Sequence, residues 1–340
     1  MHKIVQHLLK LSTFMRLTAL GSLLGMVFVA MGITLRHMLV TPQPLESLLP
    51  GEAHLYRWRH GHIFYKTIGD SSMPPLVLIH APSIGASAYE MRNIVAALAQ
   101  DYYVYAPDLL GFGLSDRPRM QYAAETYIAL CHDFLTDVVK QPASLLASGL
   151  SCDYAVMVAR DYPESCTKLV LISPMDILSG ARKLRPWSTF LALPAVGFFL
   201  YALLCTRLAL RLFLARRRSP HQGPVPRSEI DYLYALTHQF GGEHAPLALL
   251  AGTLSVVTTQ AFDTLPQPTL ILWGIKALNA ARSIANADHL PHTTEMALIQ
   301  EAGAYVHEEC PAIVVAHMRE WSHAAQTDIS RKQQAKSVEE

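Results

Sequence analysis

Residues 145–164 read LLASGLSCDYAVMVARDYPE and gather three side chains able to act as nucleophiles, Ser148, Ser151 and Cys152, around a glycine at position 149. The stretch has the pattern of a strand running into a helix through a sharp turn, with small residues at the bend. A serine hydroxyl is a poor nucleophile until an adjacent imidazole takes its proton, and an acid must orient that imidazole and stabilise its charged form. A thiol in the first turn of a helix, where Cys152 falls, can have its pKa lowered by the helix dipole. Acyl-transfer chemistry at this turn therefore asks for a histidine and a carboxylate from elsewhere in the chain. Metal chemistry is not indicated. His289 and His292 have ligand-like spacing, but no third ligand accompanies them, and the five cysteines (Cys131, Cys152, Cys166, Cys205, Cys310) are scattered without the close pairing of a zinc ribbon or a disulfide framework. No cofactor is implied.

The elements that must position this turn can be read from the rest of the chain. At 340 residues, 51% hydrophobic and 16% charged, there is ample apolar material for a large buried core. A net charge of +1, with no long basic run interleaved with aromatics, gives no footprint for nucleic acid. The mean hydropathy of +0.21 has a local source. Residues 17–35, LTALGSLLGMVFVAMGITL, carry no charge and are closed by Arg16 and Arg36. As a helix rising about 1.5 Å per residue this stretch reaches roughly 28 Å, close to the thickness of a bilayer's hydrocarbon. The segment 1–40 is thus expected to be a single-pass, uncleaved anchor. Lys3, Lys10 and Arg16 ahead of the span favour a cytoplasmic N-terminus with the domain outside, and Gly21 and Gly25 form a GxxxG that could pair two anchors in a homodimer or with another membrane protein.

Residues 41–52, TPQPLESLLPGE, carry three prolines and read as a stiff linker. HLYRWRHGHIFYKTIG then alternates as a hairpin would around His60, Gly61 and His62. From there short apolar runs alternate with helical stretches: 75–80, 103–108, 143–148, 168–173, 268–274 and 296–303. Buried parallel strands read as such continuous runs, so 53–174 and 266–326 are expected to build an α/β core with a mostly parallel sheet and helices on both faces. Residues 175–265 interrupt the alternation and are expected to form a helical lid over the carboxyl ends of the strands. Within the lid, Phe190–Thr206 is uncharged, with Pro194 expected to bend it. Arg182, Lys183 and Arg185 flank it on one side, and Arg207, Arg211, Arg216, Arg217 and Arg218 on the other. Such a lid either packs on the sheet or rests on anionic lipid. Residues 327–340 read as a polar tail.

Several segments, in order, resemble the α/β-hydrolase fold family: VLIHAPSIGASAYEM its His-Gly loop, YVYAPDLLGFGLSDRP its DLxGFGxSDRP stretch, DYPESCTKLVLISP its YPExVxxLVLIxP stretch, PTLILWG the strand before the acid, and EAGAYVHEECP its GAGHxxHxExP loop. The resemblance covers residues from about 54 to 325. It implies a nucleophile on a strained strand-to-helix elbow, followed in the chain by an acid and a histidine. Counted back from Tyr162–Glu164, the nucleophile's position is Gly149. The acid's position falls on or near Ala277, with no carboxylate following until Asp288, and the histidine's position is Ala304.

Three small residues in frames whose flanks match describe a disarmed site. Loss of a triad costs a serine hydrolase on the order of a millionfold in turnover. Glycine also removes the strain that the elbow imposes on any other residue. His80, Ala81 and the Leu150 N–H are expected to keep a pocket for an anion or carbonyl. The reading that follows is a membrane-anchored, non-catalytic α/β-hydrolase-fold protein that binds an apolar or lipid-like ligand, or a protein partner, at its lid. The alternative is a working ester or lipid hydrolase with a rewired site, using Ser151 or Cys152 as nucleophile, the accessory His307 as base and Asp176 as a relocated acid.

Overall fold

The computed structural model describes residues 31–32, 34–35, 38–174, 194–218, 222–277 and 290–323. The span at 17–35 lies almost wholly outside them, as do Gly21, Gly25, Asp176, Asp288, His289, the first part of the lid and the tail from 327. Among the described residues no single helix is long and apolar enough to cross a membrane.

Eight strands form one sheet: β1 (Glu52–Trp58), β2 (Gly61–Ile68), β3 (Pro75–Ile79), β4 (Tyr103–Pro107), β5 (Ala143–Ser148), β6 (Cys166–Ile172), β7 (Thr269–Gly274) and β8 (Thr294–Ile299), in the order β1-β2-β4-β3-β5-β6-β7-β8. The β1–β2 hairpin and the β2–β4 pair are antiparallel, and every other pairing is parallel. The central strands are continuous apolar runs because both of their faces are covered. Successive side chains point to opposite faces. Val77, Ile79, Leu145, Leu169, Leu171 and Ile271 therefore pack on one side against α1 (Ala124–Phe134) and α2 (Ser151–Asp161). Their neighbours Leu76, Leu78, Leu146, Val170, Ile172, Leu270 and Leu272 pack on the other, against Met91, Ile94 and Val95 and against Val314, Val315, Met318 and Trp321 of the helical residues 311–323. The edge strand β1 instead alternates exposed and covered residues, as a one-sided strand must.

Between β6 and β7 the described chain is helical: α3 (Pro194–Leu204), α4 (Arg207–Arg216), α5 (Arg227–Thr237) and α6 (His244–Ala251). Leu210 and Leu214 of α4 meet Tyr232, Leu233 and Leu236 of α5 in a third, smaller core. The residues ahead of Pro194, which would form the other arm of the bend expected there, lie outside the described residues. Proline at a helix start loses only an N–H that has no intrahelical acceptor anyway, so Pro194 opens α3. Among the described residues a 65° turn lies between α3 and α4. There Thr206 is extended (φ −65°, ψ 146°) and caps α4 by accepting a hydrogen bond on Oγ1 from the Ala209 N–H at 3.3 Å.

Candidate functional site

Because β5, β6, β7 and β8 are parallel, their carboxyl ends share one edge of the sheet, and backbone hydrogen bonds carry the ladder past the strands. Gly149 N donates to Ile172 O (2.9 Å), Ser173 N to Leu272 O (2.9 Å), Ile275 N to Ile299 O (3.0 Å) and Lys276 N to Ala302 O (3.0 Å). Gly149, Ala277 and Ala304 stand just beyond β5, β7 and β8 along this edge. Gly274 is needed to let the last two loops meet, since a Cβ there would lie 2.0 Å from the Gly303 carbonyl oxygen.

The elbow itself is formed. Gly149 has φ +55°, and α2 begins two residues later with Ser151 and Cys152 in its first turn. A Cβ on Gly149 would lie 3.1 Å from the Ala81 methyl carbon, so a side chain could start there only if one of the two shifted by a few tenths of an ångström. Opposite the tip, His80 is fully buried. The Leu109 N–H donates to its Nε2 at 3.0 Å, which puts the ring proton on Nδ1, facing the Ala81 carbonyl at 3.2 Å. His80 thus joins the loop after β3 to the 108–116 loop. Asp108 fixes that second loop, accepting from the Ala88 N–H at 2.6 Å and the Leu114 N–H at 2.7 Å, while burial pushes its carboxyl up.

The rewired candidates have other partners. Ser151 Oγ donates to the His80 carbonyl at 2.7 Å. Cys152 Sγ faces the Ala147 and Ile172 carbonyls at 3.3 and 3.5 Å, fully buried, and burial, followed by the neighbouring Asp153 charge, raises its thiol well above the ordinary value, so it stays protonated. The cause that wins is desolvation: the helix-start dipole is real, but a buried thiolate has no water to replace. Asp176 lies outside the described residues. His307 is brought to a different place. Its Nε2 lies 3.1 Å from Glu90 Oε1, off the line of a hydrogen bond, and neither ring nitrogen completes one among the described residues.

Glu90 is the centre of a buried cluster that the sequence did not announce. It accepts a hydrogen bond from the Ser148 hydroxyl and faces Arg217 at 3.6 Å. Arg217, reaching down from the end of α4, pairs with Glu308 at 2.5 Å and lies over the Tyr305 ring, 4.2 Å from its centroid. Arg92 approaches Glu308 at 3.5 Å and Glu229 of α5 at 3.9 Å, and Arg218 pairs with Glu229 at 3.0 Å. Burial alone would raise the Glu90 carboxyl, but His307, Arg217 and the Ser148 hydroxyl together hold it down at about 2. The one available signal was composition: Glu90 is the sole acid between His80 and Gln100. A cavity of about 20 Å³, room for about one water, adjoins this cluster and is lined by Ser87, Glu90, Arg217 and Leu233 among others. The neighbouring Glu309 carboxylate accepts from the Gly303 and Tyr305 N–H groups at 3.0–3.2 Å and so shapes the loop that carries Ala304, which is exposed.

The family model described as the alpha/beta hydrolase family matches residues 76–317. An uncharacterized protein of Mycobacterium tuberculosis is 30% identical over 131 residues, 38% of this chain and 37% of that relative, so the match reaches well under half of the relative's length. Among solved structures, a serine hydrolase involved in carbazole degradation superposes with a TM-score of 0.66 at 18% identity, over 81% of this chain and 100% of its own. A membrane phospholipase A described as a bacterial virulence factor does so with a TM-score of 0.66 at 20% identity, over 94% and 99%. The matched segment runs from β3 to the helical residues 311–323, through every loop of the shared edge, and the chain belongs to the alpha/beta hydrolase family.

Proposed function

We propose that this chain is a membrane-anchored, non-catalytic member of its family that holds an apolar, lipid-like ligand at the sheet edge where active members carry out chemistry. The observation that carries the reading is the elbow tip. Gly149 keeps the φ of +55° that the turn requires, offers no hydroxyl, and faces a methyl group of Ala81 where a nucleophile's Cβ would begin. The contacts of Ser151 and Cys152 support the same reading, because each spends its donor on a backbone carbonyl inside the core. Without a nucleophile, the remaining donors of the edge can bind a carbonyl or an anion but have no attack to assist.

The test uses the purified full chain with a fluorophosphonate and with a thiol alkylator. No labelling is expected at Ser148, Ser151 or Cys152. Labelling at any of them that disappears in His307→Ala would overturn the reading in favour of a rewired hydrolase. As a positive control, Gly149→Ser, Ala277→Asp and Ala304→His should gain fluorophosphonate labelling when combined with Ala81→Gly, and much less without it. Native mass spectrometry after gentle extraction reads the ligand directly, and a stoichiometric protein in place of a small molecule would replace ligand binding by scaffolding.

A further inference from the structure

The outer face of α4 has a composition that packing on the sheet does not require. Leu210 and Leu214 are buried against α5, yet Leu208 is 69% exposed and Leu212 57% exposed. At about 100° per residue, Leu208, Leu212 and Ala215 form one strip, with Arg207 and Arg211 along one side and Arg216 along the other. Arg207 is already paired with Asp231, whereas Arg211 and Arg216 are exposed with no partner among the described residues. No acid occurs anywhere in the sequence from Ile177 to Ser228. An apolar strip rimmed by arginines, in a stretch without a single carboxylate, matches an anionic bilayer surface in both of its chemistries.

A second observation concerns where the chain leaves the domain. The linker does not project freely from β1. Leu49 is buried, Leu45 packs on the α4–α5 core, and Gln239, just after α5, donates from Nε2 to the Gln43 carbonyl at 2.9 Å. The next residue, Phe240, is 84% exposed. Residues 43 and 45 thus touch the lid, and further towards the N-terminus Met31, Leu35, Met38 and Leu39 are exposed.

We propose that the lid lies on the membrane that holds the N-terminal segment, with Leu208 and Leu212 in the acyl boundary and Arg211 and Arg216 among anionic headgroups, so that the carboxyl edge of the sheet faces lipid. The inference rests on the anchoring part of the proposed function and adds the orientation of the domain and the chemistry of the surface it meets. Each basic residue close to an anionic surface contributes about 1 kcal/mol, or about fivefold.

The experiment reconstitutes the full chain, in a Cys310→Ser background, into phosphatidylcholine vesicles with and without phosphatidylglycerol. An environment-sensitive fluorophore is placed at Leu212→Cys, or as a control at Leu55→Cys on the exposed edge strand. In phosphatidylglycerol vesicles the probe at 212 is expected to be quenched by brominated acyl chains and protected from iodide, and the probe at 55 the reverse. Arg211→Gln with Arg216→Gln should weaken the contact about 25-fold. Vesicle-bound protein whose residue 212 remains open to iodide would overturn the lid inference and leave anchoring standing. Release of the chain by alkaline carbonate would overturn anchoring and the inference with it. Protection of residue 212 in lipid-free detergent, at the mass of a dimer, would assign the face to a second copy instead.

Discussion

Arg217→Met isolates what holds the lid to the core. Methionine keeps much of the side chain's length and its packing beside Phe213 and Tyr305 but removes the charge that stands between Glu308 and Glu90. Deleting one partner of a buried ion pair costs about 3–5 kcal/mol, because the stranded charge has no water to turn to. The displacement of the Glu90 carboxyl from 4.5 to about 2 corresponds to roughly 3 kcal/mol, shared among His307, Arg217 and Ser148. Glu308 retains Arg92, and Glu90 retains His307, so the lower end of the range, about 3 kcal/mol, is expected. Arg217 belongs to the lid, and the loss should therefore appear as local opening before global unfolding. Amide exchange in α4 should accelerate roughly a hundredfold, with β5 and β6 little changed. The pH dependence follows from the depressed carboxyl. The stabilisation from Glu90 is present above about 4.5 and is lost as pH falls towards about 2. Without Arg217 the folded-state value rises towards 4.5, so the acid loss becomes smaller and is complete at a higher pH. Exchange in α4 unchanged within about threefold of wild type, or an acid limb that does not move, would refute this account of the lid.

Two further substitutions probe the scaffold of the edge. Ser151→Ala removes the donor to the His80 carbonyl and should cost about 1–3 kcal/mol in urea denaturation, while leaving fluorophosphonate reactivity at the wild-type level; a loss of labelling would instead make Ser151 a nucleophile. Gly113→Ala places a Cβ 2.1 Å from Asp108 Cγ at a φ of +55°, so at least about 3 kcal/mol of destabilisation or failure to accumulate is expected, and an unaffected melting temperature would refute the packing described for that loop.

The sheet was legible because strands covered on both faces must be apolar throughout, and the runs at 75–80, 143–148 and 268–274 have no other simple reading. The elbow was legible for a local reason: small residues between a strand and a helix leave few backbone paths. The turn between α3 and α4 was not legible, because it is made by an extended threonine with no proline or glycine to mark it. The Glu90 cluster was legible only in that Glu90 is the sole acid between His80 and Gln100. Glu90, Arg217 and Glu308 are far apart in sequence, and nothing in the local pattern of any of them signals that long-range topology will bury them together. Cys152 shows the converse error, a local argument from helix position outweighed by burial that only the tertiary structure reveals.

The closeness of the Ala81 methyl to the tip of the elbow also couples two positions that are far apart in the chain. A serine arising at position 149 alone would meet that methyl at 3.1 Å and pay the strain of a positive φ. A glycine at position 81 alone would remove the methyl group that stands there. Positions 81 and 149 therefore act as one packing unit, in which the side chain at one sets the room left at the other.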